Sequence, residues 1–173
     1  MSLADGDFLL VEEKVAAALL VDVGEGGLFD PDAPALAAVR VADDAVAEAA
    51  GQADFPLVLV RVESKREEPL LPSRSALKIF AVRASLFARG ANREAAEAAA
   101  RRIAARVEQV VRAQNRADRQ LLGLADLIED GEGVLFTCLT ETRFAPTAAR
   151  PGQLLARADV RFLVQVPCAF IYE

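Results

Sequence analysis

The sequence predicts an α+β domain: a largely antiparallel sheet built from two hairpins, with a long helix and an N-terminal helix packed on one side. Three observations carry this. From Ala158 to Tyr172 every second residue is apolar or nearly so, the period-two mark of a strand with one buried face. Two further alternating runs surround FPLVLVRVES and ALKIFAVRASLFARG. Between the strands, NREAAEAAARRIAARVEQVV repeats its apolar residues at three- and four-residue steps, as an amphipathic helix does. The element order helix, hairpin, helix, hairpin then follows.

The 173 residues suit one domain spanning 1–173 with a real core. The charged fraction of 27% and apolar fraction of 53% fit a folded chain and not a disordered one. Much of the apolar count is alanine, so the positive mean hydropathy overstates how greasy the chain is. The apolar run Val15–Val21 is far shorter than the about 20 residues a bilayer span needs. MSLADGDFLL lacks a positive n-region, so no secretory signal is expected. Net charge is −6, which argues against a nucleic-acid-binding surface but not against a wall that DNA slides past.

Asp7 is placed to cap a first helix to Leu20, with Phe8, Val11, Val15 and Leu19 as its apolar stripe. Gly24, Gly26 and Gly27 end it, and residues 23–54 read as an irregular acidic segment. Within that segment Leu36–Val41 is a candidate short strand, and Asp43–Ala50 a short helix or an alanine-rich loop. A strand follows from Leu57 to Ser64, with Val58, Val60 and Val62 on one face. The polar stretch Lys65–Ser75 reads as a long hairpin tip before a second strand, Leu77–Ala88. Hairpin loops are usually two to five residues, so a tip this long points to a partner contact, and its deletion is expected to spare the fold.

Gly90 closes the second strand and Asn92 is an N-cap for a helix from Arg93 to Gln114. Its buried stripe is Ala96, Ala99, Ala100, Ile103, Val107, Val110 and Val111, and Glu97/Arg101 and Glu108/Arg112 are favourable i,i+4 pairs. After the turn at Asn115–Arg119, Leu121–Ile128 is a helical turn or short edge segment, and Glu129–Gly133 a turn. Val134–Thr142 reads as a strand with Val134, Phe136 and Cys138 on one face, and Phe144–Leu155 as a loop. Fully extended, the last strand would reach roughly 50 Å in a chain whose radius of gyration is about 16 Å, so it bends near Pro167 or overhangs its own domain.

The chemistry-bearing motifs are sparse. There is no histidine, which removes the commonest general base and metal ligand. No GxGxxG, GxxxxGK[ST] or GxSxG occurs. Cys138 and Cys168 are too far apart for a zinc site and read as small buried hydrophobes, with a disulfide between neighbouring strands the less favoured option. The acidic clusters Asp22/Glu25, Asp30/Asp32, Asp43/Asp44 and Glu129/Asp130/Glu132 read as solvated acid, since none has the spaced loop of a calcium site. Arg101, Arg102, Arg106 and Arg112 form a basic helix side that Glu94, Glu97 and Glu108 neutralise.

The whole pattern resembles the tail terminator and related minor tail proteins of long-tailed bacteriophages. The likeness rests on VEEKVAAALLV, on FPLVLVRVES and ALKIFAVRASLFARG with a polar insertion between them, on NREAAEAAARRIAARVEQVV, and on the closing hairpin GVLFTCLTETRFAP and ARADVRFLVQVPCAFIYE. It covers roughly residues 8–22 and 55–173 and fits worst at 23–54. It implies a structural virion protein of the tail or neck, assembled in the host cytoplasm. Such a protein forms a ring, typically of six copies, on the head-proximal end of the tail tube, where it contacts the tube protein and a head-completion or connector protein. DNA passes without specific binding, and no enzyme activity, cofactor, metal or membrane contact is implied.

On that reading the contact residues are Lys65, Arg66, Glu67 and Glu68 on the hairpin tip, Arg101 and Arg102 on the helix, and Arg161 and Gln165 on the last strand. The alternatives are another neck, minor tail, sheath-end or head–tail joining protein of the same fold, and a small α+β enzyme or ligand-binding domain. With one tyrosine and no histidine, an enzyme has little to build from.

Overall fold

The structure, a computed structural model, describes residues 7–22, 24–32, 34–42, 55–70, 75–115, 136–150 and 153–169. Among these residues, two helices lie on one face of a five-stranded sheet. They are α1 (Asp7–Leu20) and α2 (Arg93–Ala113). The strands are β1 (Ala38–Val41), β2 (Leu57–Leu70), β3 (Ser75–Gly90), β4 (Phe136–Arg150) and β5 (Gln153–Ala169). Their order across the sheet is β1-β2-β3-β5-β4, with β1 parallel to β2 and the other pairs antiparallel. The α+β architecture expected from the sequence is the one observed.

The core lies between the helices and the sheet. Val58, Val60 and Val62 of β2, Phe80, Val82, Ala84 and Leu86 of β3, and Ala158, Val160, Phe162, Val164 and Val166 of β5 point at it. Each set alternates along its strand, so the faces assigned from period two hold, including the register of the last strand. On α2, Ala96, Ala100, Ile103, Ala104, Val107, Val110 and Val111 are buried. The alanines in the first half of that stripe let the helix approach the sheet closely. Asn92 caps it, its side-chain oxygen accepting from the Ala95 N–H at 2.8 Å. Gly90 meets the helix so closely that an added Cβ would stand 2.2 Å from the Ala96 nitrogen, so the strand-to-helix junction admits no side chain there.

On α1, Val11, Val15 and Leu19 are buried. Phe8, the first member of the expected stripe, is 41% exposed and sits edge-on to Phe80 at 6.2 Å between centroids. Glu12 turns from the same helix to the sheet edge. Its Oε1 accepts from the Val62 N–H at 2.7 Å. The pairing of β1 with β2 ends at Val60, so the carboxylate takes over where the neighbouring strand stops.

The structure corrects four expectations. The stretch Lys65–Ser75 is not a long hairpin tip: β2 runs to Leu70, and Ser64 to Leu70 pair in register with Ala81 to Ser75. Alternating charge hides the strand, because Lys65 bridges Glu67 on the helix side while Arg66 bridges Glu68 on the opposite side. Pro69 is compatible with the strand because this part of β2 is an edge. Likewise Phe144–Leu155 is not a loop. β4 continues to Arg150 and β5 starts at Gln153, with a register irregularity between Ala145 and Ala148 that takes up Pro146 on the opposite edge strand.

On β4, among the residues whose side chains are described, Thr137 is the buried one, and Cys138, expected to be buried, lies on the other face, half-buried. The Thr137 hydroxyl donates to the Val111 carbonyl at 2.7 Å, which lets a polar residue occupy the helix-facing position. Finally, β5 does not overhang β3 up to Ala169. It pairs with β3 without a register break from Leu154 to Ala169.

Within 23–54, β1 confirms the short strand, and Leu28 and Leu36 are core residues. The expectations for Asp43–Ala50, Leu121–Ile128 and Glu129–Gly133 fall outside the described residues, as do Val134, Tyr172 and the side chain of Cys168.

Candidate assembly surface

Among the described residues, both helices cover the same face of the sheet. The opposite face has its own chemistry. At one end it carries a small apolar cluster, Leu57, Leu59, Phe87 and Leu155, with Ala38, Ala42 and Phe55 against it. Beyond it charged rows alternate with less polar ones such as Ser64, Ala81, Leu163 and Cys138, and strand register determines which charges meet. Arg61 pairs with Arg83, Arg83 with Arg161, and Arg161 with Glu141, so three arginines and a glutamate form one row across four strands. The next row runs Arg40, Leu59, Ser85, Asp159, Arg143.

Directly opposed like charges repel, at a cost of roughly 0.2–1 kcal/mol a pair. The face carries the carboxylates that offset this. Glu63 lies 3.4 Å from Arg83 and 3.5 Å from Arg161, and Glu141 lies 3.7 Å from Arg161. Asp159 accepts from the Ser85 hydroxyl at 2.7 Å and pairs with Arg157 at 3.0 Å. Two arginines also lie over aromatic rings: Arg89 over Phe55 at 4.3 Å and Arg157 over Phe87 at 5.4 Å. By register and contacts, the face holds eight described arginines (40, 61, 66, 83, 89, 143, 157, 161) and four carboxylates (Glu63, Glu68, Glu141, Asp159). Over these side chains the difference is +4, on one face of a chain whose total charge is −6.

This placement divides the sequence-predicted contact residues. Arg66, Glu68, Arg161 and Gln165 share the arginine-rich face, and Arg66 and Gln165 flank Ile79 in one row. Lys65 and Glu67 face the helix side, with the Lys65 ammonium 5.8 Å from the Phe8 ring centre. Arg101 and Arg102 are exposed on α2, away from both groups. The arginines at 40, 61, 83, 89, 143 and 157 were not singled out from the sequence. Only the i,i+2 spacing of Arg157, Asp159 and Arg161 hints at a shared face; the row itself depends on register between strands far apart in the chain.

On the helix side an open groove of about 250 Å3 runs between the N-terminal half of α2 and the irregular part of β4, lined by Arg93, Glu97, Arg101, Phe144 and Pro146. Glu97 sits between Arg93 at 2.8 Å and Arg101 at 3.8 Å. The Glu97 hydrogen bond and charge raise the Arg93 pKa above its ordinary value. Arg101 lies 6.0 Å from the centre of the half-exposed Phe144 ring. The groove has no nucleophile beside a base and no pair of opposed acids.

Asp22, expected among solvated acids, is instead buried and paired with Arg106. The carboxylate accepts two hydrogen bonds from that guanidinium, at 2.8 and 2.9 Å, and one from the Leu28 N–H at 3.1 Å. Among the described residues, no three metal-ligating side chains converge and no helix is long and apolar enough to cross a membrane.

No protein-family model matches the chain, and no curated protein does. A structural likeness does exist. The fold aligns with a chain of a solved assembly described as "Virion of native gene transfer agent (GTA) particle", with a TM-score of 0.55 and 17% sequence identity, covering 96% of this chain and 99% of that one.

Proposed function

We propose that this chain is a structural subunit of a phage-like virion, without enzymatic activity. In the finer form of this reading it is a tail terminator-like protein that closes into a ring of about six copies at the head-proximal end of the tail tube. The observation that carries the proposal is the near full-length likeness to a chain of a gene transfer agent virion particle. The described residues supply no catalytic grouping that would favour an enzyme. Another neck, minor tail or head–tail joining protein of the same fold is the second reading, and the same likeness supports it.

In the terminator reading the partners are further copies of the chain, the tail tube protein and a head-completion protein. The protein is located in the tail or neck of the virion after assembly in the host cytoplasm. DNA passes through the ring without sequence-specific contact.

Light scattering with negative-stain imaging tests the proposal. Closed rings of about six subunits, alone or on added tail tubes, are the expected result. A protein that stays monomeric and binds neither tubes nor head-completion protein would refute it.

A further inference from the structure

We infer that the outward face of α1 seats in the α2–β4 groove of a second copy of this chain, with Glu13 of one copy meeting Arg101 of the next. The inference rests on the ring reading and names the two surfaces that build the ring. Three observations point to it. First, α1 has the wrong composition for a helix with one side in water. Surface helices turn polar residues outward, and a helix that is apolar all round is covered on both sides. The sequence DFLLVEEKVAAALL is apolar all round. Val11, Val15 and Leu19 face the core, yet on the outward side Leu9 is 53% exposed, Leu20 44% and Val21 66%. Leu9, Glu13, Ala17 and Leu20 follow at three- and four-residue steps and form one outward stripe, with Val21 beside it. Val21 continues the last turn, its N–H donating to the Ala17 carbonyl at 3.0 Å. Glu13 is the acid within the stripe, and Lys14, half-buried, lies at its margin.

Second, the groove has the complementary chemistry. Phe144, half-exposed, and Pro146 supply apolar surface beside a floor of alanines. Arg93 and Arg101 share the Glu97 carboxylate, so those three side chains sum to a positive charge. Glu97 holds Arg93 at 2.8 Å but Arg101 only at 3.8 Å, and the Arg101 side chain is 66% exposed. Its fork of donors can therefore take a second carboxylate. Third, the two surfaces lie on opposite sides of the molecule. α1 packs over β1 and β2, whereas the groove borders β4 at the other edge of the sheet, with α2 between them. Within one chain they do not meet. Between copies they join head to tail, and such a contact yields a closed ring when the rotation between copies closes. Two α1 stripes placed together would instead set Glu13 against Glu13 in apolar surroundings, which is unfavourable.

Charge reversal in the full chain tests this. Glu13→Arg and Arg101→Glu each bring like charges together at the contact, and the double variant restores the pair with its signs exchanged. Arg112→Glu, at a side chain 60% exposed near the far end of α2, makes the same charge change as Arg101→Glu outside the groove. Leu9→Gln with Val21→Gln removes apolar contact at unchanged charge. Sedimentation equilibrium reads self-association, and circular dichroism checks that each variant folds. Each single reversal should weaken association at least about tenfold, and the double reversal should return it to within about threefold of wild type. The glutamine pair should weaken it at least about fivefold, and Arg112→Glu less than about twofold.

Rings unaffected by the single reversals overturn this inference and leave the ring reading standing. Loss in both single variants that the double variant does not restore also overturns it, since the two side chains then meet different partners. An equal loss in Arg112→Glu does the same, because net charge alone would explain the effect. Single reversals that leave self-association intact but abolish binding to added tail tubes would reassign the groove to the tube protein. A wild type that assembles neither alone nor on tail tubes removes the ring reading and this inference together.

Discussion

The buried Asp22–Arg106 pair makes a quantitative prediction. Asp22 follows the end of α1, and Arg106 lies on α2, so the pair ties the segment after one helix to the other. Replacing Asp22 with alanine removes a bidentate charged contact and the acceptor for the Leu28 N–H. Breaking a fully buried pair costs about 3–5 kcal/mol because the remaining charge is stranded. Here Arg106 has a side chain 29% exposed and keeps a hydrogen bond to Gln109, so water and that amide recover part of the loss. The expected destabilisation is therefore about 2–3 kcal/mol.

For a chain of this size that loss corresponds to a fall in Tm of about 5–10 °C. Urea unfolding of Asp22→Ala, Arg106→Ala and the double variant closes a cycle and isolates the pair. The expected coupling is about 1.5–2.5 kcal/mol with an unchanged denaturant slope. A coupling below about 0.5 kcal/mol would show that the pair behaves like an exposed one and that the burial argument is wrong.

Two further substitutions test the packing. Phe162→Asp places a charge at a position 1% exposed in the core and should cost more than about 5 kcal/mol, leaving no cooperative unfolding transition; a folded variant would place Phe162 on the wrong face of β5. Gly90→Ala forces a Cβ against the Ala95–Ala96 backbone and should cost about 1–3 kcal/mol in urea unfolding, whereas a neutral result would mean the β3–α2 junction yields freely.

Elements defined by their own periodicity were legible in the sequence. The stripe and cap of α2, the faces of β2 and β3, and the register of β5 all follow from residue order alone. Strand ends were not legible where pairing and not hydrophobicity sustains the strand. Lys65–Leu70 is charged on both faces, and β4 crosses Pro146, so neither reads as a strand. Both are nonetheless paired to apolar partner strands that continue beside them. The expectation that Lys65–Ser75 can be deleted falls with this, because the deletion would strip rungs from β3. Thr137 and Asp22 show a second limit. Each is polar yet buried, and the group that satisfies it, the Val111 carbonyl or the Arg106 guanidinium, lies on a different element. The arginine row has the same origin, since no single strand contains it.

The seam between β3 and β5 joins residues 64 to 94 positions apart in the chain, from Gly90 with Leu154 to Ser75 with Ala169. Each outer hairpin closes from neighbouring residues, but the centre of the sheet exists only after two distant halves have met. Ordering that much intervening chain is paid before the seam returns any hydrogen bond or core contact, which places folding in the millisecond-to-second range typical of non-local sheets. Until it closes, each half presents one long apolar strand edge that a half from another molecule satisfies equally well. Newly made chains at high local concentration are thus exposed to strand exchange between molecules. On the proposed ring reading, productive association must therefore wait for the seam to close within each chain.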